Sequence, residues 1–179
     1  MKLRPAILFF AAIYFAAVPS FAQGEVWTGA AISFTNAPGS DPSQPANQDQ
    51  LTGQVWLTRA GSKGLYNAAF EGGYTKFASP AGTEWALGAL TDHATLTYTN
   101  WAWCYGGPGA LAGNIVGADT VLHLVNEDIY LAVTFTSFSS GGGFTYTRST
   151  PLAAPEPPAN LILLGGTLFS LAAKKFRRR

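Results

Sequence analysis

Two-residue alternation is the clearest pattern in this chain. Over residues 129–138, Ile129, Leu131, Val133 and Phe135 share one face of an extended backbone and Thr134 and Thr136 the other, which predicts a half-buried β-strand. Ser139-Ser140-Gly141-Gly142-Gly143 then turns the chain and residues 144–148 return, a hairpin with a glycine-rich loop. Shorter alternating runs predict strands at 27–34, 54–59, 65–70, 94–99 and 120–125. In the first, Trp27, Gly29, Ala31 and Ser33 oppose Thr28, Ala30, Ile32 and Phe34; in 94–99, Leu96 and Tyr98 share a face. Gly61-Ser62-Lys63-Gly64 joins two of these runs as a turn.

The breaks are equally informative. Residues 36–47 hold Pro38, Pro42 and Pro45 among glycine, serine and aspartate, the composition of a long polar loop. Gly106-Gly107-Pro108-Gly109 forbids regular structure there, and residues 84–90 read equally as a helical turn or a strand. About eight short strands with regular punctuation predict an all-β fold, a β-sandwich of jelly-roll-like form.

Both ends break this pattern. Lys2 and Arg4 precede an apolar run from 6 to 18, and Pro19-Ser20-Phe21-Ala22 closes it with small residues at Ser20 and Ala22. That is the layout of a secretory signal peptide over residues 1–22, cleaved by signal peptidase between Ala22 and Gln23 after delivery by the Sec machinery. At the other end, Pro155, Glu156 and Pro157 hold an extended segment, because each proline fixes its own φ and restricts the residue before it. An apolar run over 159–173 follows, short beside the ~20 residues of a typical membrane helix. Lys174 and Lys175 can snorkel to lengthen its reach, and with Arg177, Arg178 and Arg179 they form a membrane-stop cluster that holds this end in the cytoplasm.

Pro-Glu-Pro, an apolar stretch containing Gly165-Gly166 and a terminal arginine cluster together resemble the PEP-CTERM sorting signal of Gram-negative bacteria over residues 154–179. The resemblance implies a short transmembrane sorting helix, processing near Pro155-Glu156-Pro157 by an exosortase, and export from a bacterium that makes extracellular polysaccharide. It implies transient residence in the inner membrane, then the cell surface or the medium. One departure is Pro158, where such signals more usually carry a small polar residue. Residues 128–151 and 79–85 resemble parts of an all-β domain of secreted bacterial proteins, which implies a fold and no activity. The domain plan is then 1–22 signal peptide, 23–153 cargo and 154–179 sorting signal.

This plan changes the meaning of the charge. The formal +1 of the whole chain is set by its ends. The cargo keeps four cations, Arg59, Lys63, Lys76 and Arg148, against nine carboxylates, a net charge of about −5. A negative body argues against nucleic acid as a partner. Cys104 is the single cysteine, so no internal disulfide can form, and without a neighbouring positive charge it reads as a small buried side chain.

Candidate chemistry is sparse. His93 and His123 lack the converging ligands of a metal site, and His123 alternates in phase with Val121 on a semi-buried strand face. Asp119, Glu127 and Asp128 are either solvated loop carboxylates or ligands of a structural calcium, the one cofactor the sequence suggests. No serine sits in a nucleophile elbow. Glu71, Glu84, Asp92 and Glu127 offer carboxylates for a glycosidase pair, but no spacing brings two together. The ligand candidates are Trp101, Trp103 and Tyr105, whose rings share a face if the backbone is extended. They either stack on sugar rings or pack into the core, the commoner fate of large aromatics. The expectation is a non-enzymatic, structural or adhesive surface or matrix protein within exopolysaccharide. The alternatives are a carbohydrate-binding module, or a glycan-active hydrolase or lyase on the same scaffold.

Overall fold

The structure is a computed structural model describing residues 24–154. The expected cleavage between Ala22 and Gln23, the motif Pro155, Glu156 and Pro157, and the cluster Lys174, Lys175, Arg177, Arg178 and Arg179 lie outside the described residues. Among the described residues, no helix is long and apolar enough to cross a membrane.

In chain order the strands are β1 (Glu25–Trp27), β2 (Gly29–Asn36), β3 (Asp49–Gln50), β4 (Trp56–Arg59), β5 (Leu65–Asn67), β6 (Thr83–Leu87), β7 (Asp119–Leu124), β8 (Ile129–Phe138) and β9 (Phe144–Thr150). Two one-turn helices, α1 (Trp101–Cys104) and α2 (Leu111–Asn114), lie between β6 and β7. The fold is all-β. A six-stranded sheet runs β2-β9-β8-β7-β6, and β1 pairs in parallel with the first residues of β8. A three-stranded antiparallel sheet runs β3-β4-β5.

The alternation in β8 creates the core. Ile129, Leu131, Val133 and Phe135 are all buried, and the pairing sets Trp85, Leu122 and Leu131 in one row across β6, β7 and β8. Leu57 and Leu65 of the smaller sheet belong to the same hydrophobic cluster. Phe135 is its aromatic hub, with Tyr146 edge-on at 5.2 Å and Tyr105 edge-on at 6.3 Å.

Two expectations need correction, and one open choice is decided. The alternation over 27–34 is not continuous: the register of β2 against β9 shifts between Gly29 and Ile32. The chain also leaves the strand at Thr28, and Trp27 lies in β1, which pairs with β8 rather than β9; Trp27 and Phe34, on opposite faces of one ideal strand, therefore both reach the core. Residues 94–99 form turns rather than a strand, apart from an isolated bridge from Thr99 to Trp85. Here local bonds replace a ladder: the Thr95 N–H and hydroxyl both donate to the Asp92 carbonyl, at 2.8 and 3.0 Å, and the Tyr98 hydroxyl donates to the His93 carbonyl at 3.0 Å. The ambiguous stretch after residue 83 is strand β6, paired along its length with β7.

Two contacts stand out among those that tie the sheets together. Asp49 of β3 accepts from Arg148 of β9 through Nε at 2.7 Å and Nη2 at 2.9 Å, and from the Tyr146 hydroxyl at 2.6 Å. All three residues are buried. Burial and Asp49 hold the Tyr146 hydroxyl protonated well above its ordinary range. Burial alone would pull the Arg148 guanidinium down, but the hydrogen bonds and charge of Asp49 outweigh it and its pKa rises. The second contact is backbone on backbone. Gly142, at φ +86°, lies so close to Gly61 that a Cβ would come within 2.6 Å of the Gly61 carbonyl oxygen. The glycine-rich turn after β8 thus docks on the turn between β4 and β5, which only glycine permits at this φ.

Candidate functional site

These docked turns form one side of a cavity of about 540 Å³. Arg59, the last residue of β4, forms part of its wall and is 3% exposed. Its Nη1 donates to the Ser139 carbonyl at 2.6 Å and the Gly143 carbonyl at 3.0 Å, and its Nε donates to the Lys63 carbonyl. Its guanidinium lies 3.7 Å from the centre of the Phe138 ring. Burial lowers the Arg59 pKa to about 10. No carboxylate among the described residues pairs with it, and its Nη2 makes no hydrogen bond to them.

Lys63 and Lys76 also line the cavity, both exposed, with the Lys76 ammonium 4.7 Å from the centre of the Phe77 ring. Three of the four described cationic residues therefore line one cavity, and none of the nine described carboxylates lines it. Tyr74, Phe77 and Trp101 supply ring surface, and Ser62, Ser139 and Ser140 supply hydroxyls.

A further part of the wall is set by α1. Asn100 caps this turn, accepting the Ala102 N–H at 2.9 Å, while its amide donates to the Phe77 carbonyl at 2.7 Å. Ser79 accepts the Trp101 N–H at 2.8 Å. The segment holding Phe77 and the helix holding Trp101 are thereby fixed to each other. Gly64 lets the β4–β5 turn approach closely: a Cβ there would lie 2.8 Å from Cζ3 of Trp101.

The helical turn corrects the extended geometry expected for Trp101, Trp103 and Tyr105. Capping by Asn100 winds the segment, so the rings do not form a row. Trp101 and Tyr105 are 2% and 1% exposed, and Trp103 is 58% exposed. Tyr105 packs on Phe135 and bonds Thr120 at 2.9 Å, well inside the core. Of the three, Trp101 alone lines the cavity. Cys104 is buried, and burial pushes its thiol up to about 11.

The histidines lie on the far face of the larger sheet. His123 stacks on Tyr130 at 4.3 Å with an interplanar angle of 2°. Its Nε2 lies 3.2 Å from Asp128 and its Nδ1 3.7 Å from Glu84. His93 and Tyr98 pack against Tyr130 at 5.0 and 5.8 Å. Among the described residues, no three His, Cys, Asp or Glu side chains group closely enough to hold a metal ion. Asp119 opens β7, whereas Glu127 and Asp128 lie in the turn beyond its other end, so the three do not share a loop. Glu71 turns inward, accepting the Asn67 and Ala81 N–H groups at 2.7 and 2.9 Å.

The chain's pattern gives no local sign of the cavity, because its parts come from separate segments. The available signal was compositional: Arg59, Lys63 and Lys76 fall close together in a cargo otherwise almost without cations. Comparison with protein-family models, with curated proteins and with solved structures gave no match.

Proposed function

We propose that this chain is an exported surface or matrix protein, processed by an exosortase and working structurally or adhesively within extracellular polysaccharide. The order of segments in the sequence carries the reading: an exportable leader, a cargo, then Pro155-Glu156-Pro157, an apolar run and a basic end. On this reading the two sheets with their common core are a jelly-roll-like β-sandwich, delivered by the Sec machinery and held briefly in the inner membrane by the sorting helix. Intact-mass analysis of the exported form, from cells with an active exosortase, tests it. The expected product begins at Gln23 and ends near Pro155. An exported form that still ends at Arg179, or full-length protein recovered from the soluble cytosol, overturns it.

The cavity favours a second reading, a carbohydrate-binding module. Cations, ring surface and hydroxyls on one concave wall suit sugar recognition. A hydrolase acting in this cavity would need two carboxylates, and the described lining supplies cations instead.

A further inference from the structure

We infer that the cavity between the two docked turns and α1 is a binding site for an anionic sugar residue, a hexuronate unit of an acidic polysaccharide. The inference begins with Arg59. A buried charge is strongly disfavoured unless an opposite charge or a set of dipoles compensates it. Here three carbonyls satisfy two of the guanidinium nitrogens, but carbonyls leave the net charge in place. Nη2 stays in reach of solvent, with no acceptor among the described residues.

The rest of the lining has the same sign. Lys63 and Lys76 stand on the accessible rim, and no described carboxylate faces them in the cavity. In a body of net charge about −5, such a concentration of positive charge marks where an anion is favoured. A planar guanidinium with a spare nitrogen suits a carboxylate, and two flexible ammonium groups can close over it. The half-exposed Phe77 ring and partly buried Tyr74 offer apolar surface to the face of a pyranose, and Ser62, Ser139 and Ser140 offer partners for its hydroxyls. The overall negative charge disfavours long polyanions such as polyphosphates and leaves room for a short acidic glycan segment. The choice of a sugar acid among anions rests on the matrix reading above; the convergence of charge does not.

The test is calorimetric titration of the full chain in neutral detergent with trigalacturonate, a neutral galactose trimer and inorganic phosphate. Trigalacturonate is expected to bind at least about tenfold more tightly than either other probe, as one charge-assisted contact contributes. The exchange Lys63→Gln with Lys76→Gln alters two exposed side chains and is expected to weaken that binding by about tenfold. This exchange also separates the cavity from the basic tail, whose attraction for acidic sugars would survive it. Arg59→Gln, checked for folding by circular dichroism, should weaken binding further. Equal binding of the acidic and neutral trimers, equal binding of phosphate, or unchanged binding after the double lysine exchange each overturns the inference. If trigalacturonate fails while the exported protein still ends near Pro155 and co-sediments with the cells' own polysaccharide, the matrix reading survives and the cavity assignment falls. If the protein is neither exported nor cut, the matrix reading falls, whatever the titration shows.

Discussion

Two buried arginines divide the molecule into a closed half and an open half. Arg148 is 8% exposed and meets a carboxylate that also takes the Tyr146 hydroxyl; Arg59 is 3% exposed and meets three carbonyls and the face of the Phe138 ring, but no carboxylate. The first arrangement neutralises its charge in place and leaves nothing for a ligand. The second fixes the guanidinium as firmly but keeps its charge, and it does so beside a cavity rimmed by two more cations. Burial therefore does not by itself distinguish a structural arginine from a binding one. On the inference above, the presence of a counter-charge does.

The sharpest way to break this contrast is to remove the counter-charge. Asp49→Ala would leave Arg148 buried and unpaired and take away the acceptor of the Tyr146 hydroxyl. The expected loss is about 3–5 kcal/mol, the usual result of breaking a buried pair from one side. Urea denaturation measures it. A loss below about 1 kcal/mol would mean that water reaches Arg148 and that the two arginines are less different than their partners suggest.

Gly142→Ala attacks the open half through its framework. The new Cβ would meet the Gly61 backbone and strain a φ of +86°. A loss of about 2 kcal/mol is expected, with the two turns forced apart. The separation also predicts weaker binding of acidic oligosaccharide in whatever protein remains folded. A variant with wild-type stability and binding would show that the docked turns do not shape the cavity.

Alkaline titration probes the buried phenols, Tyr146 of the closed half and Tyr105 at the end of α1, without mutation. Tyr146 and Tyr105 are both held protonated above the ordinary value of 10, chiefly by burial. The unfolded chain loses those protons first as pH rises, so the stability these two rings contribute is fully present below pH 10 and is lost above it. The expected slope is about 1.4 kcal/mol per pH unit for each such ring, until the ring itself ionises in the folded state. Absorbance at about 295 nm should show fewer tyrosinates in the native protein than in urea at the same pH. Equal ionisation in the two states would mean that these rings are solvated.

How much of this contrast could be read in the sequence depends on how far apart the partners lie. The β8–β9 hairpin was legible because Ile129, Leu131, Val133 and Phe135 alternate without interruption and a glycine-rich turn follows. The stretch after His93 was not, because alternation was present but threonine and tyrosine hydroxyls took backbone carbonyls that a strand would have used. At Trp101, the helix signal was local: Asn100 at the cap and Gly106-Gly107 at the stop. The aromatic spacing put the three rings on one face only if the backbone were extended, and the cap makes it helical. Asp49 and Arg148 are 99 positions apart, and Arg59 is 80 from Ser139, so neither environment has any local signature. The sequence does carry the scarcity of cations, which made each of the four worth tracing once their places in the fold were known.

The smallest stability effect offers the finest test. Ser139→Asp would give Arg59 the counter-charge it lacks, since Ser139 is exposed on the cavity lining and its carbonyl already accepts from Nη1 at 2.6 Å. It would turn the open half into a copy of the closed one. A new pair at the mouth of a solvated cavity contributes little, so stability should change by less than about 1 kcal/mol. Binding of trigalacturonate should fall by about tenfold or more, because the site would then hold its own carboxylate and repel another. Loss of binding with unchanged stability separates charge from fold as the origin of recognition. Undiminished binding would mean that Arg59 serves only to hold the turn from Ser139 to Gly143, and the two arginines would then differ in partners but not in role.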